Sequence, residues 1–222
     1  MTVPEPEPDA GDRFDALSLR RFVVLGQKAT ASPDFSLTNL PASSGRLDVL
    51  LRCLRAALMY SHGLRRDTVV YLVLLGGPQA PRTLRIEGAT ARFLRPDERS
   101  LAVLAQKVLA APVAVDAAGF VSVRPGVAIA EGGLDAVLAD LGPATLYVLE
   151  EGAPDLRKAP LAARDQAFFL GDHVGFDETT RARLAALGAI PVGVGPVSVH
   201  ADDAVVLVVN ELDRRATISR RR

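Results

Sequence analysis

The stretch from Ala167 to Arg215 constrains the fold of this chain more than any other part of its 222 residues. It contains two short apolar runs, Ala167–Leu170 and Ala189–Val194, and a glycine stops each of them. Continuous apolar runs of this length are typical of parallel strands that are buried on both faces. Because a helical pattern follows each run, the stretch predicts two consecutive strand–helix units of an open α/β sheet.

Three glycines, Gly171, Gly193 and Gly195, lie where these two predicted strands end. Glycine has no Cβ, so a ligand can approach its backbone closely. Open α/β sheets bind ligands at the carboxyl ends of their strands, where such turns meet. We therefore predict a cofactor site at these turns, with ordinary strand-end packing as the alternative reading of the same glycines.

The rest of the chain predicts further strands and helices, with no internal repeat, in a single domain over residues 19–215. The other predicted strands are Arg20–Gly26, Thr68–Gly77, Thr83–Glu87 as an edge strand, and Thr145–Leu149. Helices are predicted from Ser44 to Gly63, Asp97 to Leu109, Leu134 to Leu141, Asp177 to Leu187, and onward from Ala201. The last helix is apolar nearly all round, so we expect it to be buried. A loop is predicted over Gln27–Gly45, and a short hairpin around Gly119.

Composition excludes several classes of protein. Residues 1–18 alternate proline with acidic side chains and predict a disordered leader, while residues 216–222 form a basic tail. The formal net charge is +0, so no overall positive field indicates a nucleic-acid partner, although local patches remain open. Cys53 is the single cysteine, which excludes an intramolecular disulfide and suits the cytoplasm. No apolar run reaches the roughly 18 residues of a transmembrane helix.

Short motifs narrow the chemistry further. No G-x-G-x-x-G follows the first strand, and neither a P-loop nor a G-x-S-x-G nucleophile turn is present. The chain lacks paired cysteine motifs and has only His62, His173 and His200, so no metal site is predicted. The residues taken alone thus leave the cofactor and the reaction open.

Five segments, in order along the chain, carry a resemblance to a known family. They are 22–58 (FVVLGQKA to LDVLLRCLRAAL), 65–88 (RRDTVVYLVLLGGP to PRTLRIEG), 95–100 (RPDERS), 168–173 (FFLGDH) and 210–215 (NELDRR). Over roughly residues 20–215 the chain resembles the archaeal tRNA (pseudouridine(54)-N1)-methyltransferase family of the SPOUT superfamily. The resemblance implies a mostly parallel sheet with helices on both faces, a C-terminal trefoil knot, a homodimer, and S-adenosylmethionine as cofactor.

The resemblance also implies roles for particular residues. Those implied to bind the cofactor are Leu149, Leu170, Gly171, Asp172, Val194, Gly195, Pro196, Val197, Ser198, Val199 and Ala204. Asp34 is implied to lie near the target base, where a carboxylate could orient or accept the N1 proton of pseudouridine. An Asx-type turn is the alternative for Asp34, and a capping role is the alternative for Asp172.

Four arginines, Arg46, Arg52, Arg82 and Arg85, are predicted to contact RNA phosphates. For Arg52 the alternative is an ion pair with Asp48, four residues earlier on the same helix. Arg46 lies only two residues from Asp48, so the two are not expected to share a helix face. For Arg82 and Arg85 the alternative is a solvated sheet edge.

Two positions depart from the family pattern, since Ala204 stands where the family usually has cysteine and Val209 where it usually has histidine. The first reading is metal-free N1-methylation of pseudouridine in tRNA, without a covalent enzyme intermediate. The second is a divergent methyltransferase that acts on a free nucleoside, a peptide or another small-molecule nitrogen. The third is a non-catalytic RNA-binding relative.

Overall fold

The computed structural model describes residues 19–112 and 119–219, and the predicted leader and the end of the predicted basic tail lie outside these ranges. The described strands are β1 (Arg20–Thr30), β2 (Met59–Tyr60), β3 (Gly63–Leu64), β4 (Thr68–Gly76), β5 (Arg82–Glu87), β6 (Val121–Arg124), β7 (Val127–Glu131), β8 (Thr145–Leu149), β9 (Gln166–Gly171) and β10 (Ile190–Val192). The helices are α1 (Leu40–Ser43), α2 (Leu47–Leu58), α3 (Glu98–Leu109), α4 (Leu134–Leu141), α5 (Glu178–Ala186) and α6 (Ala201–Ser219).

Eight of these strands form one mixed sheet in the order β10-β8-β9-β1-β4-β5-β7-β6. The strands from β10 to β4 pair in parallel, and β5, β7 and β6 add antiparallel pairs at the other end. This confirms the predicted α/β fold with a mostly parallel sheet. The prediction of an edge strand at Thr83–Glu87 is wrong, because β5 lies between β4 and β7. The polar side chains of β5 have partners within the protein. The alternation of polar and apolar residues along this strand therefore does not show that one face is exposed to solvent.

Helices cover both faces of the sheet, as alternate residues of β1 show. Phe22 and Val24 join one apolar cluster with side chains of α2, α3 and α6, whereas Val23 and Leu25 join a second with α4 and α5. The pleat of a strand sends successive side chains to opposite faces. A strand buried on both faces therefore needs the unbroken apolar run that β1 has.

Several predicted boundaries are corrected by the structure. β1 continues through Gly26 to Thr30, because Gly26 stays paired with Leu74 instead of turning. A Cβ on Gly26 would lie 2.9 Å from the Leu50 side chain, so this glycine allows α2 to pack close to the strand. The short helix α1 interrupts the predicted loop over 27–45.

Two further local predictions need correction. The helix predicted to end at Gly63 ends at Leu58, since Met59–Tyr60 pairs with Gly63–Leu64 in a two-stranded hairpin. The hairpin predicted around Gly119 falls partly on residues 113–118, outside the described ranges, and the hairpin that the structure shows is β6–β7, with its turn at Pro125 and Gly126. Gly126 has φ +69°, a left-handed conformation that glycine adopts at little cost.

The last helix is buried on one side only. Val205, Val208 and Val209 of α6 pack into the core, but Val206 and Leu207 are 50% and 42% exposed. The prediction of burial all round is therefore wrong, because α6 packs on α2 with a single face. No helix in the described ranges is both long enough and apolar enough to cross a membrane.

Candidate functional site

The carboxyl ends of β8, β9 and β10 lie side by side, since these three strands are neighbours in the parallel part of the sheet. Their ends border a cleft of about 880 Å³. The predicted cofactor residues that line it are Leu149, Leu170, Gly171, Asp172, Val194, Gly195, Val197, Ser198, Val199 and Ala204. Pro196 is not among the lining residues, although both of its neighbours are. The structure thus brings the glycine turns after β9 and β10 to one place, and their cofactor role stays a prediction.

The glycines of these turns differ in what they make possible. A Cβ on Gly171 would lie 2.7 Å from the Cα of Gly175, and a Cβ on Gly193 would lie 2.6 Å from the carbonyl oxygen of Ala153. Neither position has room for a side chain, because backbone occupies the space. A Cβ on Gly195 would meet nothing within 4 Å. Packing inside the protein therefore requires glycine at 171 and 193 but not at 195.

Asp172 holds the turn that follows β9. Its buried carboxylate accepts hydrogen bonds from the backbone N–H of Gln27 (3.0 Å) and of Val174 (2.8 Å). The first bond ties the turn after β9 to β1, and the second closes the turn in the way that a capping residue does. These contacts give Asp172 the structural role that was the alternative reading, and they present the partly exposed His173 at the cleft.

Arg46, Asp48 and Arg52 form a charged cluster on the wall of the cleft. Asp48 is 1% exposed. Arg46 Nε and Nη2 donate to its two carboxylate oxygens at 3.0 and 3.2 Å, and Arg52 Nη1 donates at 2.8 Å. The expectation that Arg46 and Asp48 cannot meet is wrong. Arg46 precedes α2 in a left-handed conformation, φ 70°, and therefore does not follow helical spacing.

Burial by itself would raise the pKa of Asp48, but hydrogen bonds and charges from Arg46 and Arg52 outweigh it and hold the pKa below its ordinary value. A depressed pKa in the folded state contributes stability above the unfolded-state value of about 3.9, and this stability is lost as the pH falls through the folded value. Because their side chains are only partly buried, the two arginines would remain hydrated without Asp48.

We expect Asp48→Asn to lower the free energy of unfolding at pH 7 by about 2 kcal/mol, less than for a fully buried ion pair. Urea unfolding at pH 7 and at pH 3 measures it, and the gap to the wild type should shrink at pH 3. Asp203→Asn, at an exposed carboxylate of α6, is the control. A gap that is the same at both pH values would contradict this account.

Other charged groups of the cleft are also paired. Arg181 Nη1 lies 2.7 Å from Glu150 Oε1, and Ser198 Oγ lies 2.5 Å from Glu151 Oε1. Arg52 also approaches Asp202, with Nε 3.6 Å from Oδ2. A cleft with apolar walls and charges of both signs suits a ligand that combines an apolar ring with a charged tail.

The sequence did not single out several of these lining residues, namely Val49, Glu150, Glu151, Arg181, His200 and Asp202. His200 and Asp202 directly follow the predicted run Val194–Val199, so extending that run along the chain would have found them. Arg181 lies on α5, and no local pattern distinguishes it from other exposed helical arginines.

Besides Pro196, three predicted site residues do not line the cleft. Asp34 is exposed, between Pro33 and the buried Phe35. Arg82 is ion-paired with Glu131, Nη2 to Oε1 2.6 Å. Arg85 is ion-paired with Asp140, Nη1 to Oδ1 2.6 Å, and lies over the ring of Phe120. The structure therefore brings Arg46 and Arg52 to the cleft, and it uses Arg82 and Arg85 in contacts within the protein.

The two departures from the family pattern occupy different environments. Ala204 lines the cleft, whereas Val209 is buried in the core and is not a lining residue. A methyl group at 204 leaves the cleft wall apolar. Within the described ranges, no group of three or more His, Cys, Asp or Glu side chains is arranged to hold a metal ion.

Comparisons with known proteins identify relatives by sequence. A family described as "Putative SAM-dependent RNA methyltransferase" matches residues 19–217. The chain is 42% identical to a tRNA (pseudouridine(54)-N(1))-methyltransferase of Methanosarcina acetivorans, over 88% of this chain and 92% of the relative. It is 40% identical to the protein of that name from Methanocella arvoryzae, over 89% of this chain and 100% of the relative.

The fold is similar to that of a solved structure. The crystal structure of Archaeoglobus fulgidus Nep1 bound to S-adenosylhomocysteine superposes with a TM-score of 0.58 at 18% identity. The match covers 90% of this chain and 99% of that one. At this low identity the likeness supports only the fold. This support does not depend on the relatives that were found by sequence.

Proposed function

The chain belongs to the SAM-dependent RNA methyltransferase family, and we propose that it methylates N1 of pseudouridine 54 in tRNA with S-adenosylmethionine as the methyl donor. The observation that carries the proposal is the identity of about two fifths to relatives of this named activity, along nearly their whole length. We treat residues 19–215 as one catalytic domain, supported by the family match over 19–217.

The cleft fits S-adenosylmethionine by the chemistry of its lining. Leu149, Leu170 and Val194 offer apolar surface for the faces of an adenine ring. The open space at Gly195 leaves its backbone accessible for hydrogen bonds to the nucleoside. When bound, this cofactor supplies a methyl group that is activated by a positively charged sulfur. The carboxylate of Glu151, which has the Ser198 hydroxyl and no cation as its partner among the described contacts, is placed to favour positive charge in the cleft.

The remaining chemistry concerns the acceptor nitrogen. N1 of pseudouridine carries a proton that must leave when the nitrogen gains a methyl group. Asp34 is exposed and held on a fixed loop, since Gln106 Nε2 donates to the carbonyl oxygens of Pro33 (3.2 Å) and Phe35 (2.7 Å). We propose that its carboxylate orients this N–H or accepts the proton. Much of the remaining rate enhancement comes from holding the pseudouridine ring in line with the methyl group.

We further propose that the C-terminal part forms a trefoil knot. The loop from β8 to β9 and helix α6 lie on the same face of the sheet, where Leu156 and Val205 share one apolar cluster. Gly193 pairs with Asp155 of that loop. The Arg215 guanidinium donates to the carbonyl oxygens of Leu156 and Ala159 at 2.9 and 3.0 Å. These contacts support a chain that passes beneath the loop on its way into α6.

We propose that the protein acts as a homodimer in the cytoplasm. Val197 and Val199 at the cleft, and Val206 and Leu207 on α6, are exposed apolar side chains that a second copy would cover. The single cysteine, Cys53, is buried and free, which suits a reducing compartment. Sedimentation equilibrium tests the dimer, and a monomer at micromolar concentration would contradict it.

The decisive experiment compares tRNA with and without pseudouridine at position 54, using an isotopically labelled methyl donor and mass analysis of the nucleosides. We expect label in 1-methylpseudouridine from the pseudouridylated tRNA and none from the uridine form. Because phosphate contacts are screened by ions, the rate should fall as the salt concentration rises. Label in a free nucleoside or a peptide, with no dependence on salt, would overturn the proposal in favour of a small acceptor.

A further inference from the structure

A second cavity, of about 400 Å³, lies between α3 and the segment that precedes it. It shares no lining residue with the cofactor cleft. None of its lining side chains is acidic, and four are cationic, namely Arg95, Arg99, Lys107 and Arg124. We call these four residues and Phe93 the basic surface. Its charge is local, because the whole chain has a formal net charge of +0.

The cations of the basic surface have few partners within the described part of the protein. Among the described residues, Arg95, Arg99 and Lys107 have no ion pair and no side-chain hydrogen bond. Arg124 Nη2 donates only to the carbonyl oxygen of Arg92, at 2.8 Å. By contrast, Arg82 and Arg85 each have a carboxylate partner. Asp97 attracts Arg95, but the four cations outnumber it, so an anionic partner would relieve the repulsion among them.

Phe93 is the least expected residue of this surface. Its side chain is 91% exposed, although phenylalanine is among the residues most often buried. Its φ is +58°, in the left-handed region that bulky residues rarely adopt. An exposed aromatic ring on a strained backbone is unfavourable on both counts. Such strain concentrates at ligand-binding positions, and a free ring face among cations is a platform on which a nucleobase can stack.

Helix α3 joins the basic surface to the proposed catalytic centre. Its first residue, Glu98, places Oε2 3.6 Å from Nη1 of Arg52, which lines the cofactor cleft. Gln106, farther along α3, holds the carbonyl groups on either side of Asp34. Arg99 and Lys107, each one residue away from these contacts, line the second cavity. A polyanion on the basic surface would therefore run alongside both the cleft and Asp34.

We infer that the basic surface binds an unpaired stretch of the tRNA substrate. The four cations contact consecutive phosphates, and one base stacks on the ring of Phe93. This inference rests on the proposed function, and it adds the surface by which the substrate is held outside the cleft. RNA is favoured over an acidic protein because a carboxylate-rich partner would leave the Phe93 ring unused.

Filter binding of tRNA to the full chain, over a range of salt concentrations, tests the inference. We expect Arg95→Glu/Arg99→Glu to weaken tRNA binding on the order of 100-fold and to lower the slope of log K against log salt by about 2. The matched control is Arg55→Glu/Arg164→Glu, which makes the same charge change at two exposed arginines outside both cavities. Binding of S-adenosylhomocysteine should be unchanged in all of them.

A second pair of variants tests the stacking. Phe93→Ala should weaken tRNA binding roughly tenfold, and Phe93→Tyr, which keeps the ring, should retain wild-type binding. The inference fails if the arginine pair and its control lose affinity equally, if Phe93→Ala binds normally, or if polyglutamate competes as well as single-stranded RNA. Those outcomes would leave the proposed function intact, because the wild type would still methylate tRNA. If the wild type neither binds nor methylates tRNA, this inference falls together with the proposed function.

Discussion

Asp34→Ala is expected to lower kcat for methyl transfer to tRNA about 100-fold or more, which is the contribution of a well-placed general base. Asp34 is exposed and outside the cofactor cleft, so affinity for S-adenosylhomocysteine should stay at its wild-type value. Because the fixed loop leaves the rest of the substrate surface intact, tRNA binding should change little. Single-turnover methylation and calorimetry measure the two effects separately.

Two further variants sharpen this test. Asp34→Asn keeps a side chain that can accept a hydrogen bond but cannot take a proton, so it separates orientation of the base from proton removal. Asp203→Ala removes an exposed carboxylate that does not line the cleft, and its kcat should equal that of the wild type. Unchanged turnover in Asp34→Ala would remove this residue from the reaction.

Gly171→Ala is expected to weaken cofactor binding at least tenfold and to destabilise the protein by about 1–3 kcal/mol, a typical cost of overpacking. The added Cβ would lie 2.7 Å from the Cα and carbonyl carbon of Gly175, and both are backbone atoms that cannot rotate away. The turn from Asp172 to Gly175 lines the cleft and must therefore shift. Calorimetry with S-adenosylhomocysteine and urea unfolding report the two consequences.

Gly195→Ala is the matched control for stability, since a Cβ at 195 would meet nothing within 4 Å. Its free energy of unfolding should equal that of the wild type. Any loss of cofactor affinity in this variant would then come from the added methyl group in the cleft itself. Normal cofactor binding by Gly171→Ala would show that the turn after β9 does not shape the site.

The elements that short-range patterns predict best are those whose signals are complete within one segment. The helix α3 begins where Asp97 accepts a hydrogen bond from the Ser100 N–H at 2.8 Å. Pro96, Asp97 and Glu98 are typical of a helix start, so this boundary is visible in the sequence. The helix α4 and the strand β8 match their predicted bounds. The family resemblance extended this to the fold and the cofactor, because several motifs in order identify a shared ancestor where a single motif does not.

Taken alone, the sequence determined where most helices and strands lie and the family to which the chain belongs. Only the tertiary structure decided that β5 is an interior strand, that Arg46 reaches Asp48, and that Arg181 joins the cleft. The physical reason is distance along the chain. Apolar periodicity records local burial, whereas a contact such as that of Asp172 with the Gln27 N–H depends on strand order across 145 residues.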